Sequence, residues 1–194
     1  MDLSKYTIGF ALTGSFCTFS KVIPELKKLA DTGAKVIPIM SEISYTTDTR
    51  FGKAEDFIWQ IKDITGSEII TGIKTAEPIG PKNLLDALII APCTGNTISK
   101  IANAVTDTCV TMAAKANLRN DNPLIIAIST NDGLGTCAKN WGTLINAKNV
   151  FFVPFGQDDP QGKPTSLVAD MTMILPTLEH ALNKKQIQPV IIER

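Results

Sequence analysis

Five short apolar runs recur along the chain: Tyr6 to Leu12, Val36 to Met40, Ala87 to Ala91, Leu124 to Ser129 and Val150 to Pro154. Runs of this length without polar alternation predict strands buried on both faces. The stretches between them carry helical spacing. Phe19, Val22, Ile23, Leu26, Leu29 and Ala30 share one face of a helix that ends near Gly33. Pro24 sits early in it and removes one backbone hydrogen bond if it lies beyond the first turn, so the helix restarts at Ser20 or kinks there. Lys53 to Ile64 forms a second amphipathic helix closed by Gly66, and Glu68 to Thr71 adds a short extension. Ile98, Ile101, Ala102 and Val105 mark a helix directly after the third strand, and Ala138 to Ile145 another. Ser166 to Leu182 reads as a final helix with Thr165 or Ser166 as its N-cap. Strands alternating with helices predict an α/β fold: a single doubly wound, Rossmann-like or flavodoxin-like domain with a central parallel sheet. It spans residues 1–194, with a core of about 6–183 and a C-terminal tail of 184–194.

In such sheets ligands bind at the carboxyl ends of the strands. The polar loops 13–20, 41–50, 91–97 and 129–137 all fall there. Thr13-Gly14-Ser15, after the first strand, offers two hydroxyls and a glycine at a helix start, suited to a phosphate or serving only as a capped turn. Pro92 ends the third strand, and Cys93-Thr94-Gly95-Asn96-Thr97 follows. Asn96 offers a donor and an acceptor to a ligand edge, and Thr97 can cap the next helix. Under the plainer reading both residues only cap, and Cys93 is a buried filler. Asp107 to Leu118 is apolar nearly all round, which places it centrally or against a second copy of the chain; a homo-oligomer is expected.

Composition narrows the function. With 194 residues, 44% hydrophobic and 20% charged, the chain suits one globular domain. The formal net charge is +0 and no basic run occurs, which argues against nucleic acid or a membrane surface as partner. The amino terminus carries no cleavable signal pattern, so a cytoplasmic protein is expected. The four cysteines, Cys17, Cys93, Cys109 and Cys137, are dispersed and give no metal-ligand spacing; no metal is expected. The one histidine, His180, lies in the C-terminal helix as a surface or packing residue. A cysteine nucleophile at Cys93 therefore lacks a histidine base.

From about residue 6 to residue 183 the chain resembles the flavoprotein family of FMN-binding cysteine decarboxylases, which includes the lantibiotic and phosphopantothenoylcysteine decarboxylases. The strongest match is A-P-C-T-G-N-T-I-S-K-I-A-N-A-V-T-D at 91–107, similar to the family's P-A-S-A-N-T stretch and the helix after it. Thr13-Gly14-Ser15 matches the family's phosphate turn. The resemblance implies FMN, or a related phosphate-bearing ligand. Ser15 and neighbouring backbone would hold the phosphate with Ser41 near it, and Thr94 and Thr97 would face the isoalloxazine. Asn96 would contact a substrate carboxylate.

Two departures matter. Where the decarboxylases carry a catalytic histidine, this chain has Glu77-Pro78-Ile79-Gly80-Pro81. Where they carry a P-x-M-N-x-x-M flap, it has Ser129-Thr130-Asn131-Asp132-Gly133-Leu134-Gly135. Cysteine decarboxylation is therefore not expected. The stretches E-P-I-G-P at 77–81, A-P-C-T-G-N-T at 91–97 and V-P-F-G-Q-D-D-P at 153–160, followed by Lys163-Pro164, are similar to a branch of oxidoreductase subunits that act on a small dicarboxylate. That resemblance implies a partner chain with an NAD(P)-binding Rossmann domain, in keeping with the missing G-x-G-x-x-G fingerprint here. Asn96, Lys163 and helix N-termini suit the substrate carboxylates on chemical grounds. Two other readings stand beside it: a flavin prenyltransferase-like enzyme, whose P-C-S-x-K-T turn has Lys in place of Asn96, and a non-catalytic scaffolding component.

Overall fold

The computed structural model describes residues 1–193. Strand β1 (Thr7–Leu12) leads through a 3-10 turn, Phe16–Thr18, into α1 (Phe19–Asp31) and β2 (Lys35–Met40). Three helices follow: α2 (Glu42–Thr46), α3 (Ala54–Thr65) and α4 (Ile73–Ala76). The chain continues through β3 (Ala87–Cys93), α5 (Gly95–Ala102), α6 (Cys109–Arg119), β4 (Leu124–Thr130) and α7 (Ala138–Ile145). It finishes with β5 (Val150–Phe152), β6 (Phe155–Asp159), β7 (Lys163–Ala169) and α8 (Ile174–Leu182).

The pairs β2–β1, β1–β3, β3–β4 and β4–β5 are all parallel. Their order is 2-1-3-4-5, so strand order reverses between β1 and β3, and loops leaving those two strands must diverge and open a crevice. The apolar runs are strands because both faces are covered: Ile8, Phe10, Leu12, Ile89, Ile90, Ile125 and Ile126 are all fully buried. Each such side chain contributes roughly 1.5–3 kcal/mol on burial. Helices α1 and α8 pack together over one side, while α6 packs on α4 and α5 over the other.

Several expectations are corrected. Residues 166–182 do not form one helix. Ser166 to Ala169 belongs to β7, which pairs antiparallel with β6 and with the end of β4 at Ser129–Val168 and Thr130–Leu167. Sheet pairing overrides the helical spacing there; Asp170 instead caps a 3-10 turn, Met171–Met173, its Oδ1 accepting from Thr172 N at 3.1 Å, and α8 follows from Ile174 with no side-chain cap. The run 150–154 likewise stops at Phe152, and the chain passes Pro154 into β6. The sheet therefore has seven strands, mostly parallel, with an antiparallel hairpin added at its carboxyl end. Pro92 does not end β3, which runs on to Cys93 across a register shift. Helix α1 starts afresh from the 3-10 turn at Phe19, one residue before the expected Ser20, and carries the exposed Pro24 inside it. The apolar face of α6 is buried within its own chain, Ala113 and Ala114 being almost wholly covered. The expected tail is partly built into the sheet: Phe155 N donates to Val190 O, and Ile192 N donates to Phe155 O, each at 3.0 Å. Residue 194 of that tail lies outside the described residues.

Candidate functional site

The crevice between β1 and β3 opens into a cavity of about 820 Å³. Its floor comes from the turn after β1 (Gly14 to Thr18), the start of α5 (Thr94 to Asn96) and the end of β4 (Ser129 to Asn131). The β6–β7 hairpin supplies a wall through Asp158, Lys163, Ser166 and Val168, and Lys21 and Phe51 complete the rim.

Three hydroxyls meet at the floor. Ser15 Oγ lies 2.8 Å from Ser129 Oγ and 3.1 Å from Thr18 Oγ1, and Thr18 Oγ1 lies 2.9 Å from Ser129 Oγ. Thr18 and Ser129 are buried, so the triangle opens to the cavity mainly at Ser15. Each hydroxyl carries one rotatable proton, so three donors can swing outward together onto an anion. Among the described residues, no acceptor meets the N–H of Phe16 or Cys17, the first two positions of the 3-10 turn. These groups are an unspent set of donors.

Of the eight residues singled out from sequence, Gly14, Ser15, Thr94, Asn96 and Lys163 line the cavity. Thr13, Ser41 and Thr97 stand behind it. Thr13 is buried; its Oγ1 donates to Pro92 O at 2.7 Å and accepts from Thr94 N at 3.0 Å, tying the ends of β1 and β3 together. Ser41 caps α2, its Oγ accepting from Ser44 N at 3.3 Å. Thr97 is buried with its hydroxyl 3.1 Å from that of Thr94. The cap of α5 is Thr94, whose Oγ1 accepts from Thr97 N at 3.3 Å, and not Thr97 or Asn96. Asn96 is the second residue of α5, exposed, and its amide meets no partner among the described residues. A capping role is thereby removed, and a free amide faces the cavity. Gly95 is required by close approach: a Cβ there would stand 2.7 Å from Thr130 Oγ1.

Sequence reasoning missed Thr18, Lys21, Ser129 and Asp158. The loop at 129–137 had the right position in the fold, but one serine at a strand end carries no pattern that marks it. The cavity's charged side chains are two cations, Lys21 and Lys163, against one carboxylate, Asp158. That balance favours an anionic ligand. His180 lies exposed on α8, outside the cavity wall.

Cys17 is exposed on the cavity rim, whereas Cys93, Cys109 and Cys137 are buried. Burial drives the Cys93 thiol far above its ordinary range, with neighbouring Cys137 adding to it. Burial also pushes Cys109 up to about 11 and raises Cys137. Only thiolates react readily. Iodoacetamide at neutral pH should therefore label Cys17 alone in the folded protein and all four cysteines after denaturation, read by peptide mass spectrometry. Fast labelling of Cys93 would restore it as a candidate nucleophile.

A flavoprotein family model matches residues 1–186, and the chain belongs to that family. The fold is that of this class. Within it, the chain is 50% identical over 186 residues to the B subunit of dipicolinate synthase of Bacillus subtilis (strain 168), covering 96% of this chain and 93% of that one. It superimposes on the crystal structure of the dipicolinate synthase B subunit from Bacillus halodurans C with a TM-score of 0.92 and 49% identity, over 100% of both chains. Burkholderia xenovorans DmrB in complex with FMN, a cubic protein cage for redox transfer, shares the fold at TM-score 0.68 and 15% identity, over 92% of this chain and 96% of that one. Among the described residues no helix is long and apolar enough to cross a membrane.

Proposed function

We propose that this chain serves as the B subunit of a dipicolinate synthase and takes part in oxidising dihydrodipicolinate to dipicolinate in endospore-forming bacteria. Its partner would be the dipicolinate synthase A subunit, carrying the NAD(P)-binding Rossmann domain. The names of the two half-identical relatives support the reading. The structural observation that carries it is one cavity joining a hydroxyl triangle, a free amide at Asn96 and the ammonium of Lys163.

The floor residues fit an FMN phosphate: Ser15, Thr18 and Ser129 converge on one point beside unspent backbone N–H groups, and the floor itself holds no carboxylate. FMN, when bound, supplies a two-electron acceptor next to the substrate. The chain's own residues do the rest. Thr94 would face the isoalloxazine, and its own position is fixed by Thr13 and Thr97 behind it. In becoming aromatic the substrate ring gives up one hydride, for which bound FMN would be the acceptor with the partner's NAD(P) as the final oxidant, and one proton, which would pass to water at the open cavity, while both carboxylates remain on the product. Asn96 Nδ2 and Lys163 Nζ are the donors suited to hold those carboxylates.

The same reading treats residues 1–194 as one domain of a cytoplasmic homo-oligomer. Exposed Ile43 and Phe51 beside the cavity mouth support a contact surface there. The test is to assay dipicolinate formation by each of the two chains in isolation and by the co-expressed pair. The pair should exceed either chain by at least about tenfold, the equivalent of roughly 1.4 kcal/mol. Equal turnover by the isolated partner would leave this chain a scaffold.

A further inference from the structure

Strands β6 and β7 pair in regular antiparallel register from Phe155–Ala169 to Gln157–Leu167, after which Asp159 pairs with Lys163. Between these pairings β6 has one residue, Asp158, while β7 has three, Pro164 to Ser166. Two extra residues on β7 leave the side-chain alternation in phase but bend and twist the strand locally. Ser166 and Val168, alternate residues of β7, line the cavity, and Lys163 lines it too from beyond the bend, its ammonium reaching to Asp158. The bulge is also fastened. Gln157 Nε2 donates to Pro164 O at 2.9 Å, and Thr165 Oγ1 donates to Asn131 O at 2.6 Å.

Asp158, opposite the bulge, also lines the cavity and stands 3.5 Å from Lys163 Nζ. That is longer than the roughly 2.7–2.9 Å of a close charge-assisted hydrogen bond. Both side chains keep substantial exposure, 34% for Asp158 and 59% for Lys163, so the pair is weak and easily exchanged.

We propose that Asp158 is a built-in competitor for Lys163: it holds the ammonium until a ligand carboxylate takes its place. The inference rests on the dicarboxylate reading above. Substrate and product carry the same two carboxylates, so a resident competitor weakens the hold on both and lets product leave. Asp158 is thus a positioning residue that acts through Lys163.

The test measures dipicolinate binding by calorimetry to the native two-chain complex and to complexes carrying D158N, D158E, K163Q or D158N/K163Q. D158N should bind about three- to tenfold tighter, and K163Q at least about tenfold weaker. In the K163Q background, D158N should change affinity by less than about twofold, because the two residues are coupled. D158E keeps the competitor and should stay within about twofold of native. Unchanged affinity in D158N, or the same gain with and without Lys163, overturns the exchange, the latter by exposing a long-range charge effect. No binding to the native complex overturns the substrate reading, and the exchange falls with it.

Discussion

Replacing Ser15 with Glu is expected to raise the dissociation constant for FMN at least about a hundredfold, roughly 2.7 kcal/mol. Ser15 is the partly exposed corner of the hydroxyl triangle, so a longer side chain can extend into the cavity without entering the core. There its carboxylate would meet the phosphate as a like charge, and Thr18 and Ser129 would turn their protons onto it. The milder Ser15→Ala removes one donor, and a hydrogen bond to a charged group is worth about 1.5–3 kcal/mol. Fluorescence titration with FMN reads both variants, with circular dichroism as the check on folding. Native affinity in Ser15→Glu would mean that the triangle only ties the ends of β1 and β4 together.

Changing Asn96 to Asp is expected to lower the activity of the two-chain complex at least about tenfold, roughly 1.4 kcal/mol. The substitution replaces an amide donor by a carboxylate facing a dianionic substrate. Folding should be preserved, because Thr94 supplies the cap of α5 and a negative charge in a helix's first turn is favourable. Thermal melting and co-purification with the partner chain check that point. A variant that assembles normally and keeps full activity would move the substrate carboxylate away from Asn96 and onto the partner.

The parallel sheet was legible because its strands are covered on both faces and read as unbroken apolar runs, Ile89-Ile90 and Ile125-Ile126 above all. The β6–β7 hairpin was not. Phe155-Gly156-Gln157-Asp158-Asp159 has neither a run nor an alternation, and Ser166 to Ala169 becomes a strand only because β4 and β6 lie beside it. The site divides in the same way. Ser15 and Asn96 stand in small-residue turns directly after strands, a pattern with a physical meaning in this architecture. Ser129 is a hydroxyl at a strand end, 114 residues from Ser15 in sequence, and its role depends wholly on the turn after β1 reaching past β3 to the end of β4. Lys163 was visible as a cation, but its direction depends on a bulge fixed by Gln157 and Asn131, which local pattern does not encode.

The floor of the cavity is built to read a phosphate in the function proposed above. Parallel titrations of the native protein with FMN and with riboflavin, which differ only in that group, test it most directly. FMN should bind at least about tenfold tighter than riboflavin, a gap of roughly 1.4 kcal/mol or more that narrows sharply in Ser15→Glu. Equal affinity for the two flavins, or no binding of FMN, would contradict it.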